Sequence, residues 1–349
     1  GNNMKKSSFW AAVFPAALGV LLLAGCGGPN RRIPNRIQVG VACYNQSDTF
    51  ISELMDSFKH QLTAFEREGL TATVTLKDAA GLQRTQNDQV RELLDEGCNI
   101  LCVNLVDRTD PSEIIDLARE NDVPIIFFNR EPVHEDMMQW SELYYVGADA
   151  QQSGVMQGEL AAEAIHADPR IDRNRDGKIQ YVVLEGEAGH QDAIIRTERV
   201  ADTLKNEGIE LEKLGSGVAN WNRAQAENRM TQMIGQYHNQ IELVLANSDD
   251  MALGAIDAYE KLNITETTCP VFFGIDGTSG GLQAVKEGKM AGTVYNDKEG
   301  QAGAMARLAA ALVTGEGLEE ISFDSERCIY LPYQKIDGEN VQEFLGDKH

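Results

Sequence analysis

Residues 172–184 read DRNRDGKIQYVVL, and this stretch indicates the fold more directly than any other. In its first nine residues, Asp172–Gln180, oxygen-bearing side chains occupy alternate positions except at Lys178, which would offer its backbone carbonyl. Gly177 follows the third of these side chains and permits a sharp turn. This is the pattern of the first nine positions of a calcium-binding loop, because Ca²⁺ takes roughly six to eight oxygen ligands that a tight loop must direct at one point.

The rest of the stretch departs from an EF-hand. Loop position twelve, where an EF-hand has a bidentate glutamate, is Val183. It lies in the apolar run Tyr181–Leu184, which predicts a strand where an EF-hand would continue as a helix. A calcium ion bound here would need a distant carboxylate to complete its ligands. A surface turn rich in Asp, Asn and Gly is the alternative interpretation.

The predicted strand is followed by polar groups at the start of a helix. Glu185–Arg196 reads EGEAGHQDAIIR and contains a glycine-bearing turn. His190, Asp192 and Arg196 are thereby predicted at the C-terminal end of a strand, where open α/β sheets bind ligands. Asp192 and Arg196 are spaced i, i+4 and share one helix face. A capping aspartate and a surface arginine are the alternative.

Composition and charge limit the class of protein. At 349 residues the chain is long enough for two domains, and 42% hydrophobic with 24% charged residues is an ordinary globular composition. The formal net charge of −23 argues against nucleic acid as a partner, because phosphates repel an acidic surface.

The N-terminal segment resembles a bacterial lipoprotein signal. Lys5–Lys6 precede the apolar run Phe9–Leu23, which is short for a transmembrane helix, and small residues then lead to Cys26. We predict a signal peptide over 1–25, a diacylated Cys26 and a tether over 26–35. Two acyl chains give stable anchoring, so we expect an exported protein attached to the cell membrane, on the extracytoplasmic face or in the periplasm. An uncleaved anchor helix is the alternative.

Beyond the tether, apolar strand-like runs alternate with helical patterns. Strands are predicted at 37–43, 71–77, 100–106 and 123–129, then after a restart near Tyr145 at 180–184, 210–214, 241–246, 271–275, 290–295 and 328–331. Runs with so little polar interruption indicate parallel strands covered by helices on both faces. The sequence therefore predicts an α/β protein with two doubly wound, Rossmann-like halves.

The calcium-loop motif and the turn after it resemble the galactose/glucose-binding protein family of bacterial sugar importers. The resemblance extends from about Arg36 to the C-terminus. It implies the class I periplasmic binding protein fold, in which two lobes with parallel sheets are joined by three crossovers. One lobe would comprise 36–147 and 296–331, and the other 148–295 and 332–349.

Polar and aromatic residues follow the predicted strands in both halves. A pyranose needs planar donors and acceptors for its hydroxyls and aromatic surface for its C–H faces. Each of these residues matches by motif a sugar-contacting position of the family: Tyr44, Asp48, Phe50, Asn129, His190, Asp192, Arg196, Trp221, Asp276 and Asn296. The resemblance implies that Phe50 and Trp221 sandwich the ring. Taken singly, such residues are also typical of core, helix caps, turns and covered strand edges.

One position departs from the family. Ala246–Met251 reads ANSDDM, and Ser248 stands where the family has a sugar-binding asparagine, so the resemblance also places Ser248 in the site. A serine hydroxyl is shorter than an amide, so one sugar hydroxyl would lose a direct partner or gain a water bridge. The predicted ligand is D-glucose or D-galactose, and another monosaccharide such as a pentose is the alternative.

The same resemblance completes the calcium site. Glu242 matches the glutamate that closes the family's loop from a neighbouring strand. The implied ligands are the side chains of Asp172, Asn174, Asp176 and Gln180, the carbonyl of Lys178 and both carboxylate oxygens of Glu242. The ion would be structural, because the carboxylates would repel one another without it.

These observations favour one function over two others. The leading prediction is a lipid-anchored, monomeric receptor of an ABC importer, whose lobes close on the sugar by a hinge motion and then dock on the permease. A receptor for chemotaxis or signalling, with a chemoreceptor as partner, is the alternative. Paired carboxylates such as Asp192 and Asp276 also occur in glycosidases, but the chain lacks a phosphate-binding loop motif, and we predict that it is not an enzyme.

Overall fold

The structure is a computed structural model that describes residues 35–66, 69–264 and 266–346. The predicted signal peptide, Cys26 and the tether up to residue 34 lie outside the described residues. Within those ranges, no helix combines the length and the apolar character needed to cross a membrane.

Strands and helices alternate along the described chain. The strands are β1 (Arg36–Cys43), β2 (Thr71–Asp78), β3 (Ile100–Val103), β4 (Ile125–Phe128), β5 (Leu143–Gly147), β6 (Ile179–Glu185), β7 (Leu211–Val218), β8 (Leu243–Ala246), β9 (Val271–Phe273), β10 (Gly292–Tyr295), β11 (Cys328–Tyr330) and β12 (Gln334–Asp337). The helices are α1 (Thr49–Glu66), α2 (Gln83–Asp95), α3 (Ser112–Glu120), α4 (His134–Met137), α5 (Ala150–Ala167), α6 (Gln191–Asn206), α7 (Arg223–Tyr237), α8 (Asp249–Lys261), α9 (Ser279–Lys286), α10 (Lys298–Thr314) and α11 (Val341–Phe344).

These strands form two sheets. Their orders are β2-β1-β3-β4-β5-β11 and β7-β6-β8-β9-β10-β12. Neighbouring strands are parallel except for β10 and β12. The chain passes between the sheets after β5, after β10 and between β11 and β12. The protein therefore consists of two α/β lobes, which confirms the predicted fold class.

Helices cover both faces of each sheet. In the first lobe, α1 and α10 pack on one face and bury Phe58 and Met305, while α2 and α3 bury Leu93 and Ile115 on the other. In the second lobe, α7, α8 and α9 cover one face, and α5 and α6 cover the other. Because both faces are covered, a central strand such as β4 is wholly apolar and buried.

Two strands of the sheets differ from the sequence predictions. No strand was predicted between residues 129 and 180, whereas Leu143–Gly147 is a buried strand that pairs with β4 in the first sheet. β7 extends to Val218 instead of ending at residue 214. Its glycine-rich end can pair with β6 because Tyr237 and Arg229 pack closely against Gly215 and Gly217 and fill the space of the missing side chains.

The sequence predicts wholly parallel sheets, whereas the second sheet has one antiparallel edge. β12 runs opposite to β10, with Ile336 facing Thr293. Only residues 331–333 connect β11 to β12, so the chain enters the second sheet beside the end of β10 and has to run back along it. Gln334–Asp337 is short and polar, and periodicity therefore did not reveal it.

Candidate ligand-binding cleft

Residues that follow the C-terminal ends of strands in both lobes line one cavity. The first lobe contributes the loops after β1 and β4, and the second contributes the loops after β6, β7, β8, β9 and β10. All residues predicted for the sugar site line it, namely Tyr44, Asp48, Phe50, Asn129, His190, Asp192, Arg196, Trp221, Ser248, Asp276 and Asn296. The cavity is partly open to solvent, and the free volume between these side chains is about 40 Å³.

Trp221 is held in a strained turn beyond β7. Asn220 and Trp221 both have positive φ, 54° and 60°, which is unfavourable for residues with a side chain. The indole lies over Gly186, where a Cβ atom would be 2.1 Å from the ring. His190 meets the indole edge-on at 5.1 Å between ring centroids. The turn and its packing thus fix an aromatic face in the cleft.

The loop after β1 brings three predicted residues to the cavity. Asp48 Oδ1 accepts a hydrogen bond from the backbone N–H of Ile51 at 3.1 Å and so caps α1, while Oδ2 accepts one from the hydroxyl of Tyr44. Phe50 is 5% exposed and belongs to the core beneath α1. Asp48 therefore caps a helix and Phe50 packs in the core, which are the structural roles considered as alternatives, and both residues also line the cavity.

His190 caps α6 with its ring. Its Nδ1 accepts a hydrogen bond from the backbone N–H of Asp192 at 3.1 Å. Burial lowers the pKa of His190 to about 2, and the positive charges of Arg130 and Arg196 act in the same direction. The neutral ring must then carry its proton on Nε2, which becomes a hydrogen-bond donor for a ligand.

The His190 ring is expected to stay neutral, as the Nε2–H tautomer, from about pH 7 down to about pH 4.5. In the unfolded chain His190 would become protonated near pH 6.5, whereas in the folded protein it stays neutral at that pH. His190 therefore contributes stability that is present above pH 6.5 and lost as the pH falls. Imidazole nitrogen shifts measured by NMR across this range check the prediction. Protonation of His190 near its ordinary pKa would contradict it.

Arg196 is fixed at the back of the cleft. Its guanidinium is buried and donates to Ser153 Oγ at 3.1 Å, to the carbonyl of Asn247 at 2.8 Å and to the hydroxyl of Tyr333 at 3.1 Å. It lies 3.9 Å from the carboxylate of Asp276. A guanidinium with so many fixed partners presents its remaining N–H groups in one orientation.

Asp276 and Asn296 lie beside this guanidinium. Burial raises the pKa of Asp276 well above its usual value, and Arg196 opposes that shift. Asn296 Oδ1 accepts a hydrogen bond from Gln301 Nε2 at 2.7 Å. The Nδ2 group of Asn296 therefore points to Asp276 and lies 3.5 Å from Oδ1 of that carboxylate. In the first lobe, Asn129 has a positive φ of 65° and its Oδ1 accepts from Asn104 at 3.2 Å. The two asparagine amides are therefore oriented by neighbours within the protein.

Ser248 and Asn247 have different tasks at the end of β8. The Ser248 hydroxyl accepts from the backbone N–H of Met251 at 3.4 Å and caps α8, although the residue also lines the cavity. Asn247 Oδ1 accepts from the backbone N–H of Gly186 at 3.1 Å, and its Nδ2 donates to Thr197 Oγ1 at 3.2 Å. Asn247 thus holds neighbouring loops together.

Thr49, Arg130, Asp250 and Thr278 also line the cavity, and the sequence motifs did not predict them. Arg130 is 5% exposed, lies 3.6 Å over the ring of Tyr44 and donates to Glu187 of the second lobe at 2.6 Å. Arg130 follows Asn129 directly in the sequence, and this position next to a predicted site residue is the feature that could have indicated it. Its inward orientation depends on Tyr44 and Glu187, which are distant in sequence.

A hydrolase-like pattern, Gly-x-Ser-x-Gly, occurs at Gly277–Gly281, at the start of α9. Thr278 caps α9 there, and the backbone N–H of Ser279 donates to the carboxylate of Glu53. The hydroxyl of Ser279 is without a hydrogen-bond partner in the part of the chain that the structure describes.

The predicted calcium loop lies away from the cleft, at the opposite end of β6. The backbone N–H of Gln180 donates to Glu242 Oε1 at 3.0 Å, so Glu242 does approach the loop from the neighbouring strand. Gln180 Nε2 donates to Asp176 Oδ2 at 2.6 Å, and Asn174 Nδ2 lies 3.3 Å from the same oxygen. The predicted side-chain ligands are therefore grouped together.

Two buried carboxylate oxygens, one in this loop and one on the adjacent Glu242, lack hydrogen-bond partners within the described residues. Within the described residues, Asp172 Oδ1 and Glu242 Oε2 form no hydrogen bond, although Glu242 is only 2% exposed. Burial raises the pKa of Glu242, and the negative charge of Asp172 adds to the effect. A bound cation would offset the cost of burying these oxygens.

The donor set suits a hard ion. Across the described ranges, no three His, Cys, Asp or Glu side chains come close enough together to hold a metal ion by themselves. A cation here would depend also on amide and carbonyl oxygens, which is typical of Ca²⁺ and not of Zn²⁺. Turning the amides of Asn174 and Gln180 by 180° would present their oxygens in place of their nitrogens.

The two-lobed chain matches a known protein family over most of its length. A family model described as a periplasmic binding protein domain matches residues 39–317. The chain belongs to the periplasmic binding protein family. This is a family of binding proteins, which confirms the prediction that the chain is not an enzyme.

Curated relatives of this periplasmic binding protein extend over most of its length. The D-galactose/methyl-galactoside binding periplasmic protein MglB of Haemophilus influenzae is 34% identical over 98% of this chain and 100% of the relative. A putative rhizopine-binding protein of Rhizobium meliloti is 29% identical over 78% of this chain and 82% of the relative. These likenesses confirm the resemblance to galactose/glucose-binding proteins that the sequence motifs indicated.

Solved structures of the family have the same architecture. An ABC transporter solute binding protein from Bacillus halodurans C-125 with bound myo-inositol has a TM-score of 0.73 at 27% identity, covering 88% of this chain and 96% of that one. A periplasmic solute binding protein from Actinobacillus succinogenes 130z with bound D-allose has a TM-score of 0.73 at 18% identity, covering 89% and 99%, and shows the fold alone.

Proposed function

We propose that this periplasmic binding protein binds D-glucose or D-galactose between its lobes and delivers the sugar to an ABC importer. The observation that carries the proposal is the single cavity in which Trp221 and Phe50 meet hydrogen-bonding side chains of both lobes. The name of the Haemophilus influenzae relative supports galactose as a ligand.

The hydrogen-bonding groups of the cleft match the needs of a monosaccharide. Each sugar hydroxyl both donates and accepts, so its site needs groups of both kinds. Asp48, Asp192 and Asp276 accept. Arg196 and the Nε2–H of His190 donate. Charged partners make these hydrogen bonds stronger than bonds between neutral groups.

Contacts between the lobes around the cavity support closure on the ligand. The side chain of Arg130 bonds Glu187 at 2.6 Å, and the hydroxyl of Thr49 donates to Asp250 at 2.5 Å. The carboxylate of Glu53 in α1 accepts from the backbone N–H of Ser279 at 3.2 Å. We infer that these contacts form when a hinge motion brings the lobes together.

Titration calorimetry of residues 27–349 against glucose, galactose, xylose and ribose tests the proposed ligand. Glucose or galactose is expected to bind with a Kd of about 1 μM or tighter, since several charge-assisted hydrogen bonds and an aromatic surface act on one ring. Tighter binding of xylose or ribose would show instead that the site takes a pentose. Absence of binding for all four would contradict the proposal.

We also propose that Cys26 carries the lipid anchor and that the protein acts as a monomer at the extracytoplasmic face, with the importer's permease as partner. The lipobox-like sequence before Cys26 supports the anchor. Recovery of the full chain, but not of Cys26→Ser, in the membrane fraction tests it. A chemoreceptor as a second partner is the alternative, because the same lobe surfaces could serve signalling.

A structural Ca²⁺ ion at the loop of residues 172–180 is the last part of the proposal. The unpartnered oxygens of Asp172 and Glu242 support it. The side chains of Asp172, Asn174, Asp176, Gln180 and Glu242 and the carbonyl of Lys178 would hold the ion. It would supply the positive charge that lets the carboxylates pack together and would fix the loop to the second sheet.

A further inference from the structure

Asp250 is an acidic residue of the cleft that the sequence motifs did not predict, and the proposed function gives it a contact between the lobes but no contact with the ligand. It is the second residue of α8, directly beyond β8, and its side chain lines the cavity. Two other side chains at this strand end, those of Ser248 and Asp249, precede it. What each of the three is bonded to decides which of them is available to a ligand.

Ser248 and Asp249 both accept hydrogen bonds from the protein itself. The Ser248 hydroxyl caps α8 through the backbone N–H of Met251. Asp249 is fully buried and accepts hydrogen bonds from the backbone N–H and the hydroxyl of Thr278, at 2.9 and 3.2 Å, and from the hydroxyl of Thr293 at 2.5 Å. Asp249 therefore joins α8, α9 and β10 and does not face the ligand.

Asp250 has one oxygen occupied and one available. Oδ2 accepts a hydrogen bond from the hydroxyl of Thr49 in the first lobe at 2.5 Å. Oδ1 has no partner among the residues that the structure describes. The guanidinium of Arg223 is directed to Asp257, which it contacts at 2.6 and 2.9 Å. The carboxylate of Asp250 thus faces the cavity without an ion pair in the described chain.

We propose that Asp250 contacts the ligand and helps to select it, with Oδ1 accepting a hydrogen bond from one hydroxyl of the sugar. The inference rests on the proposed function and goes beyond it. A carboxylate only accepts, so it requires a hydroxyl and leaves a costly unpaired oxygen when a sugar lacks one at that position. Asp250 would thereby serve the hydroxyl that Ser248 is too short to reach.

The bond to Thr49 couples this selection to closure. Thr49 belongs to the first lobe and Asp250 to the second, so the carboxylate is oriented by Thr49 only when the lobes are together. Burial raises the pKa of Asp250, and Asp48 and Glu53 add to that effect while Thr49 opposes it. A donated hydroxyl from the ligand would stabilise the charged form in the same way as Thr49.

A double-mutant cycle between the protein and the sugar tests the proposal. Calorimetry would compare wild type, Asp250→Ala and Thr49→Val against the preferred sugar and its set of monodeoxy derivatives. Asp250→Ala is expected to weaken binding of the parent sugar about 10- to 100-fold, as expected for a lost hydrogen bond to a charged group. One deoxy sugar, lacking the contacted hydroxyl, is expected to lose no more affinity in Asp250→Ala than in Thr49→Val, because both variants lose the same contact between the lobes.

Thr49→Val is the matched control, because it removes the contact between the lobes and leaves the carboxylate in place. It is expected to weaken all sugars of the set by one common factor of less than about fivefold. If Asp250→Ala also weakened all of them by a common factor, Asp250 would only join the lobes and the proposal would be wrong. Unchanged binding to Asp250→Ala, with an unchanged melting temperature, would overturn it too.

The two proposals fail in distinguishable ways. A wild type that binds none of the four sugars overturns the proposed ligand and this inference together. A wild type that binds a hexose, combined with no hydroxyl-specific loss in Asp250→Ala, overturns only the role of Asp250. Circular dichroism and melting curves of each variant separate a binding defect from a folding defect.

Discussion

Replacing Trp221 by alanine is expected to weaken hexose binding at least about 100-fold, which corresponds to about 2.7 kcal/mol. The indole is the large aromatic surface that the second lobe offers to the cavity, and the glycine at 186 and the ring of His190 hold it in place. Its removal would leave the apolar face of the sugar ring without a partner. Calorimetric titration with glucose and galactose checks the result.

Trp221→Phe is the matched control, because it keeps a flat aromatic side chain in the same turn. It is expected to recover much of the lost affinity. Gly186→Ala is expected to weaken binding although Trp221 is still present, because the new Cβ would collide with the indole. Equal affinities of wild type and Trp221→Ala would mean that the indole does not contact the sugar.

Removing calcium is expected to lower the melting temperature by on the order of 8–16 °C. An ion present at about 1,000 times its Kd stabilises a protein by about 4 kcal/mol, and about 1 kcal/mol shifts the melting temperature of a large domain by about 2–4 °C. Without the ion, the unpartnered oxygens of Asp172 and Glu242 are left buried near each other's charge. Calorimetric melting with calcium and with excess EGTA measures the effect.

Two controls make this experiment specific. Adding Mg²⁺ in excess over EGTA is not expected to restore the melting temperature, because Mg²⁺ demands a smaller, octahedral shell of ligands. Glu242→Gln is expected to melt at a lower temperature and to respond little to EGTA. A wild type whose melting temperature is the same with and without chelator does not bind structural calcium.

The sequence predicted most of the cleft because its residues follow strand ends. Trp221 follows β7, and His190 and Arg196 follow β6, and the edge of a parallel sheet gathers the segments beyond strand ends into one place. The residue types also matched a recognisable chemistry, that of a polar ring with an apolar face. Local pattern and family motif agreed at these positions, so the prediction and the structure coincide there.

The residues that escaped prediction depend on contacts between distant parts of the chain. Asp250 meets Thr49 across 201 residues, and Arg130 meets Glu187 across 57. No periodicity or spacing encodes such pairs, because they form only when the two sheets face each other. β12 escaped for a different reason, since four mostly polar residues at a sheet edge carry no hydrophobic alternation.

The short link between β11 and β12 also affects the order in which the protein can be made. Each of the two sheets takes its last edge strand from residues 328–337, where β11 and β12 follow each other closely in the chain. During synthesis, neither sheet can be completed until almost all of the described chain has left the ribosome. A polypeptide that has to cross a membrane in an unfolded form benefits from this delay, because no finished domain blocks its passage.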